Sequence, residues 1–398
     1  MRVAIVQEHL DPARGGAERS VLEMADQLAQ LGLDVALVCA STPANHAGDP
    51  LMARVRLHVV DARGVTRRAR TRRFIDHADA LCRAERFDVV HAITPCRSAT
   101  VYQPRGGTYH DTIESGLQRT ANPLWRAVRR LARRLNGRQR DLLALERALL
   151  TRASPPWVAA VSERVARDVR AEYGTPAERV CVVFNGVNYA PLEPADERAA
   201  RARLRSAWCV GDDARVVLFV AHNYRLKGLA ELLRALATRP TERAARSRRV
   251  LVVAGRGCAA PFQRLAARLG VAREVHFVGS TENVRAHYAA ADVLAHPTWY
   301  DPCSRVVLEA LCAGLPVVTT ACNGASEAIE PGRHGYVVDS PQNVGALRDA
   351  IEAALAPAVR ASCVADLAPL RARLSMARHA RELAALMKRV AAGTARNG

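Results

Sequence analysis

Short β-branched runs, each followed by a longer helical pattern, recur along the whole chain. They are Val3–Val6, Val35–Cys39, Val89–Ile93, Val158–Val161 and Val180–Phe184 in the first half, and Val216–Val220, Val250–Ala254, Val275–Val278, Val293–Ala295, Val317–Thr319 and Tyr336–Val338 in the second. Strands that alternate with helices pair in parallel under helices on both faces, so the fold class is α/β with parallel sheets. The rhythm restarts once. "VAIVQEHLDPARGGAERSVLEMADQL" and "VVLFVAHNYRLKGLAELLRAL" each run from a strand through a glycine-containing or basic loop into a helix. At about 100–200 residues per domain, 398 residues make two such domains, both Rossmann-like. Asn-Gly and two prolines in "FNGVNYAPLEP", Phe184–Pro194, interrupt the pattern and mark the boundary. The expected division is 1–184, 185–370 and a helical tail at 371–398. Ligands of doubly wound sheets lie outside the carboxyl ends of the strands, so the chemistry is expected there, in a cleft between the two domains.

Composition narrows the function classes. The chain carries a net charge of +19, almost all of it arginine: only Lys227 and Lys388 are lysines among 58 basic residues. Such a charge calls for an anionic partner, whether nucleic acid, membrane surface or small molecule. No apolar run reaches the roughly 18–20 residues of a membrane span, and Val3–Val6 is shorter than a signal peptide requires, so a cytosolic chain is expected. The ten cysteines form no C-x-x-C pair and are read as reduced packing residues.

Two stretches of the second half carry the chemistry. In "NYRLKG", Asn223–Gly228, Arg225 and Lys227 sit where a strand hands over to a helix, a place suited to phosphate oxygens. In "HPTWYDPCSRVVLEALCAGLPVV", His296–Val318, Pro302 and Ser304 mark a helix start, which puts Asp301 in the loop and Glu309 about two turns in. A carboxylate in so apolar a helix needs donors. These are either protein groups, which make Glu309 structural, or ribose hydroxyls, which make it functional. On the second reading Asp301 reaches sugar hydroxyls, and the amides of Cys303, Ser304 and Arg305 face a diphosphate.

"HPTWYDPCSRVVLEALCAGLPVVTT", "NYRLKG", "FNGVN" and "RGGAERSVLEMADQL" together resemble glycosyltransferase family 4, over nearly the whole chain. The segment from Gly270 to Thr320 is similar to its lipopolysaccharide-core glucosyltransferase branch. The resemblance implies the GT-B fold, two facing Rossmann-like domains whose last helix, here "ARHARELAALMKRVAAG", crosses back to the first domain. It implies a retaining transfer of a hexose, glucose from UDP-glucose, to a lipopolysaccharide-core or other surface-glycan acceptor, without a cofactor. The family's E-x7-E pair falls on Asp301, for the transferred sugar, and Glu309, for the ribose. Asp301 is one methylene shorter than the usual glutamate. The family's basic pair for the diphosphate falls on Arg225 and Lys227, and its glycine-rich first loop on Gly15 and Gly16. The leaving diphosphate is then stabilised by Arg225, Lys227 and the helix start at Ser304, and the absence of a D-x-D motif fits a site without metal.

The acceptor side is less defined. "GGTYHDTIESG", Gly106–Gly116, has loop character, and His110 or Asp111 either orients the acceptor hydroxyl and takes its proton or forms a pair within the loop. His91 and His296 end strands and are read as structural. "RTANPLWRAVRRLARRLNGRQR", Arg119–Arg140, holds eight arginines and no acid. Helical spacing sets Trp125 on an apolar face and Arg126, Arg129, Arg130, Arg133 and Arg134 around the rest. This is either a solvated helix packed on the core or an interfacial helix on an anionic leaflet. A lipid-linked acceptor favours the second, giving a cytoplasmic protein peripherally bound to the inner membrane. The cluster "RGVTRRARTRR", Arg63–Arg73, adds to the charge of the same half.

Four other readings stand against this one. Nucleic-acid binding is disfavoured by 5% aromatics and by the absence of a recognisable module. A GT-B sugar-nucleotide epimerase would turn over donor without acceptor, and an inactive binder would hold it without turnover. A nicotinamide enzyme lacks its loop, because "ARGGAERS" is not G-x-G-x-x-G.

Overall fold

The computed structural model describes residues 1–11, 16–41, 50–118, 128, 136–211, 213–237 and 248–395. Two compact units result, one of 1–188 with 375–398 and one of 189–374.

In the first unit the elements run β1 (Arg2–Val6), α1 (Gly16–Gln30), β2 (Asp34–Cys39), β3 (Arg56–Val59), α2 (Arg67–Glu85), β4 (Val89–Ala92), β5 (Val101–Tyr102), α3 (Tyr109–Gln118), α4 (Gly137–Leu150), β6 (Trp157–Ala160), α5 (Glu163–Tyr173) and β7 (Val180–Val182). The strands form one parallel sheet in the order β3-β2-β1-β4-β5-β6-β7. The β-branched runs became strands because helices bury both faces: Val3, Ile5, Val35, Leu37 and Val89 join one core with Leu22 and Leu28 of α1. Side-chain caps fix helix starts, Thr66 for α2 and Ser162 for α5.

The second unit runs α6 (Pro194–Ala207), β8 (Arg215–Val220), α7 (Leu229–Ala237), β9 (Arg249–Ala254), α8 (Ala260–Arg268), β10 (Val275–Gly279), α9 (Val284–Ala290), β11 (Val293–His296), α10 (Arg305–Cys312), β12 (Val317–Thr320), β13 (Gly335–Val338), α11 (Val344–Ala354), α12 (Pro357–Ala365) and α13 (Leu367–Arg373). Its parallel sheet has the order β10-β9-β8-β11-β12-β13. The order reverses between β8 and β11, and at such a switch point the loops leaving the carboxyl ends of the strands are where ligands of doubly wound sheets bind. Those loops are 221–228 and 297–304.

The last helix, α14 (Met376–Ala395), belongs to the first unit. Met376, Ala380, Leu383, Met387 and Val390 pack into the same core as β1 and α1. The outgoing and returning segments are joined by a backbone bridge between Val187 and Ser375, and Arg378 donates to the Asn185 carbonyl at 2.9 Å. Buried Asn185 also accepts from Arg105 at 3.0 Å.

No helix among the described residues is long and apolar enough to cross a membrane. Trp125, Arg126, Arg129, Arg130, Arg133, Arg134 and Gly15 lie outside the described residues. All ten cysteines are free thiols, and burial pushes Cys312 and Cys363 up to about 12, the direction of packing groups.

Candidate functional site

In the second unit the loop after β8 is an Asx turn. The Asn223 side chain accepts the Leu226 amide at 3.1 Å, and the Lys227 amide returns to the Asn223 carbonyl at 3.0 Å. The turn presents Arg225 outward, exposed and without a hydrogen bond or ion pair among the described residues. It ends at Gly228, where φ is +78° and a Cβ would stand 2.0 Å from the Pro297 carbonyl oxygen. The Trp299 amide and the Thr298 hydroxyl both donate to the Leu226 carbonyl, at 3.0 and 3.1 Å. The loops at the switch point are thus bonded to each other.

Lys227 Nζ lies 2.6 Å from Asp301 Oδ2 and 3.2 Å from the Tyr300 carbonyl. The cation expected on a diphosphate and the carboxylate expected on a sugar are bound to one another. Burial opposes the charge on Asp301, but Lys227 and His296 outweigh it and hold the carboxyl well below its ordinary range. His296 Nε2 is 3.8 Å from Asp301 Oδ2, and the imidazole is fully buried, which pushes its own pKa down. His296 therefore belongs to the site rather than only to the strand end.

The helix start at α10 differs from the expectation. The Cys303 amide donates to Asp301 Oδ1 at 3.2 Å, and the Ser304 amide to Asn323 Oδ1 at 3.1 Å. These two amides are therefore not presented to a diphosphate. Ser304 itself is buried and makes no side-chain cap bond. Asn323, fully buried, is in turn held by its own donation to Thr319 Oγ1 at 3.0 Å. It lies 19 residues beyond Ser304, too far for local spacing to pair them; the clue in sequence is a polar residue three positions after a buried strand.

Glu309 does receive protein donors. Tyr288 Oη donates to Oε2 at 3.1 Å, and Arg305 Nη2 to Oε1 at 3.4 Å, while its side chain keeps 20% exposure. Burial, then the Glu309 charge, pushes the Tyr288 hydroxyl well above its ordinary value, so Tyr288 stays a donor. The carboxylate is pre-oriented by side chains and still faces solvent.

Glycines after β9 pack against the loop that leaves β8. Gly255 has φ +131° and packs its α-carbon against the Ala221 carbonyl, where a Cβ would come within 1.8 Å, and Tyr224 Oη donates to the Gly255 carbonyl at 3.0 Å. "GRG" at Gly255–Gly257 is therefore a packing device for the exit of β8.

In the first unit, Gly16 opens α1 and is exposed. His110 and Asp111 do not lie in a loop: both are in the first turn of α3. The Asp111 amide donates to Thr108 Oγ1 at 3.1 Å, and the Thr108 hydroxyl donates back to the Asp111 carboxylate. This reciprocal cap between positions three apart converts the glycine-flanked segment into a helix start. His110 lies between two carboxylates, Nδ1 3.5 Å from Asp111 and Nε2 3.4 Å from Glu172, with 35% of its side chain exposed.

Burial, then the charge of Asp111, pushes the neighbouring Asp168 up to about 6. A carboxyl raised this way contributes stability that is complete below the unfolded value of 3.8 and is lost as the pH rises through about 6. Asp168→Asn is expected to gain about 1–2 kcal/mol over wild type at neutral pH, after solvent screening, and nothing near pH ~4. Urea midpoints at the two pH values measure this, and an equal gain at both would remove the pairing.

Two parallel-sheet Rossmann-like domains, with a basic turn and an Asp301/Glu309 pair at the switch point of the second, define a GT-B glycosyltransferase. Residues 14–190 match the family described as Glycosyltransferase Family 4, and residues 214–356 the family described as Glycosyl transferases group 1. The chain belongs to glycosyltransferase family 4. It is 30% identical over 373 residues to D-inositol 3-phosphate glycosyltransferase of Streptomyces avermitilis, covering 85% of this chain and 76% of that one. It is also 30% identical over 224 residues to lipopolysaccharide glucosyltransferase WaaG of Escherichia coli K12, covering 56% of this chain and 59% of WaaG, so that match spans little more than half of the relative. In structure the chain is similar to WaaG (TM-score 0.71, 24% identity, 98% of both chains) and to HepE of Anabaena in complex with UDP and glucose (TM-score 0.71, 19% identity, 98% and 99%). At these identities the structural likeness concerns the fold.

Proposed function

We propose that this protein transfers a hexose, glucose from UDP-glucose, to a hydroxyl of a lipopolysaccharide-core or other surface-glycan acceptor, with retention at the anomeric carbon and without a metal. The observation that carries the reading is the pairing of Lys227 with Asp301, beside the exposed Arg225 of the same turn, at the loops that leave β8 and β11. The bond between the anomeric carbon and the diphosphate oxygen breaks, and the bond to the acceptor oxygen forms on the same face of the sugar. The acceptor's proton leaves with the diphosphate. Lys227 exchanges Asp301 for the diphosphate and, with Arg225, neutralises the charge that develops there, which is the part of the barrier electrostatics lowers most. Asp301, released from the lysine, accepts from hydroxyls of the transferred sugar. Glu309, already oriented by Tyr288 and Arg305, accepts from the ribose.

On the acceptor side His110 orients the incoming hydroxyl, held by Asp111 and Glu172. The named relatives support this reading by what they are: WaaG is a lipopolysaccharide glucosyltransferase, and HepE is seen with UDP and glucose. The relatives named for D-inositol 3-phosphate favour a second acceptor class, a phosphorylated polyol. A surface-glycan acceptor places the protein on the cytoplasmic face of the inner membrane, where the charge of +19 is attracted to anionic lipid.

Calorimetric titration with UDP, GDP and ADP in EDTA tests the donor side, using wild type and Glu309→Ala. Selective binding of UDP is expected, weakened in the variant by about 1.5–3 kcal/mol. Binding of UDP with equal strength by both proteins would sink the ribose role.

A further inference from the structure

Behind His110 lies a buried carboxylate with no part in the transfer described so far. Glu146, on α4, is fully buried. Its Oε1 accepts from the Tyr102 hydroxyl at 2.6 Å, and its Oε2 accepts from the Tyr173 hydroxyl at 2.6 Å and from the Tyr109 amide at 2.8 Å. Tyr109 is the first residue of α3 and precedes His110; Tyr173 is the last residue of α5 and follows Glu172. One oxygen atom therefore holds the start of one helix to the end of another. The two carboxylates that face His110, Asp111 and Glu172, lie on those same helices. Their approaches of 3.5 and 3.4 Å are longer than a good hydrogen bond, so the place of the ring depends on where the two helices stand.

A buried carboxylate is costly, and packing alone would be served as well by an apolar residue. Burial raises the Glu146 carboxyl above its ordinary value, and the two hydroxyls and the amide oppose the rise. The amino end of α3 favours the anion as well. Burial, then the Glu146 charge, pushes the Tyr102 and Tyr173 hydroxyls upward, so both stay donors. The other tie to this region is Arg147 to Glu172 at 2.6 Å, with 59% of the arginine side chain exposed. Exposed ion pairs of this kind are weak, which leaves the placement of His110 to the buried group.

We propose that Glu146 is the positioning residue of the acceptor side: its three hydrogen bonds set α3 against α5 and so hold His110 between Asp111 and Glu172. The placement rests on geometry alone, and its use in turnover rests on the transferase reading. A reacting group misplaced by about 1 Å can cost about a hundredfold in rate.

The experiment compares wild type with Glu146→Ala, Glu146→Gln, Tyr173→Phe and Ser162→Ala. Ser162→Ala removes the cap at the opposite end of α5 and leaves Glu146 untouched. In Glu146→Gln the amide oxygen takes the place of Oε2 and the NH2 donates to the Tyr102 oxygen, so the geometry survives without the charge. Thermal melts rank the variants by stability. Two further quantities are read. One is the set of imidazole nitrogen shifts of His110 at a fixed pH, in protein with isotope-labelled histidine and assigned with His110→Asn. The other is steady-state turnover of UDP-glucose with lipopolysaccharide truncated to its inner core.

Tyr173→Phe is expected to displace the His110 signals and to lower kcat about tenfold, with UDP affinity and donor KM changed by no more than about twofold. Glu146→Ala should exceed it, and Glu146→Gln should restore the signals and bring kcat to within about threefold of wild type. Ser162→Ala should melt earlier and leave both readouts where they are. Signals unmoved in Tyr173→Phe, or moved equally in Ser162→Ala, overturn the proposal. If Glu146→Ala does not fold, Tyr173→Phe still decides, because it keeps the carboxylate and two of its donors. Displaced signals in a protein whose wild type transfers nothing to lipopolysaccharide would support the placement and sink the transferase reading instead.

Discussion

Gly228→Ala is expected to weaken UDP binding by more than about a hundredfold, equivalent to about 3 kcal/mol, while the second unit stays folded. Two penalties coincide. Alanine at φ +78° pays about 1–2 kcal/mol for the left-handed conformation, and its Cβ would stand 2.0 Å from the Pro297 carbonyl oxygen. The backbone must move, and what moves is the contact between the turn holding Lys227 and the loop holding Asp301. Gly270→Ala is the control, because its φ is +75° and nothing lies within 4 Å of the added Cβ. That variant should show the conformational penalty in its melting temperature and normal affinity for UDP. If Gly228→Ala bound UDP as wild type does, the close approach of the two loops would have no part in donor binding.

The largest effect on stability is expected from Asp292→Ala. Asp292 accepts from Arg201 at 2.8 Å, from Arg205 at 3.3 Å and from the Val216 amide at 2.7 Å, and Arg205 is only 2% exposed. Burial opposes ionisation of Asp292, but the Val216 amide and the two guanidinium groups hold its pKa below the ordinary value. Removing the carboxylate strands a buried cation, a loss of about 3–5 kcal/mol. In a unit of this size that corresponds to about 6–20 °C in melting temperature. Arg205→Met/Asp292→Ala should lose clearly less than Asp292→Ala alone, because no charge is then buried unpaired. Additive losses in the double variant would contradict this. The sign with pH follows from the lowered pKa: the contribution is complete above the unfolded value of 3.8 and disappears as the pH falls through the depressed one.

The parallel sheets were legible because strands buried on both faces leave uninterrupted β-branched runs. β3 was not, since its four residues are half-exposed or exposed and include Arg56 and His58. β5 has two residues, too few for any pattern. The helix at Tyr109 was hidden behind two glycines, and only the Thr108–Asp111 cap shows why it forms. At the candidate site, local spacing placed Arg225, Lys227 and Asp301 in loops and Glu309 in a helix, where the structure has them. Partners were not readable. Lys227 and Asp301 are 74 residues apart, and Ser304 and Asn323 are 19 apart, so which groups satisfy each other depends on the order of strands in the sheet. The arginines of Arg63–Arg73 read as one cluster, yet the structure divides them between Asp61, Asp141 and solvent.

The inclusion of α14 in the core of β1 and α1 sets an order of assembly on the ribosome. Residues 189–374 form a contiguous unit that can close as soon as they emerge, whereas the unit begun at Met1 lacks Leu383, Met387 and Val390 until residues 376–395 have been made as well. The half of the protein made first is thus the last to be completed. Its apolar sheet must wait in an open state, within reach of chaperones, for as long as the other half takes to be made. A chain that stops before Met376 therefore damages the first unit rather than the second.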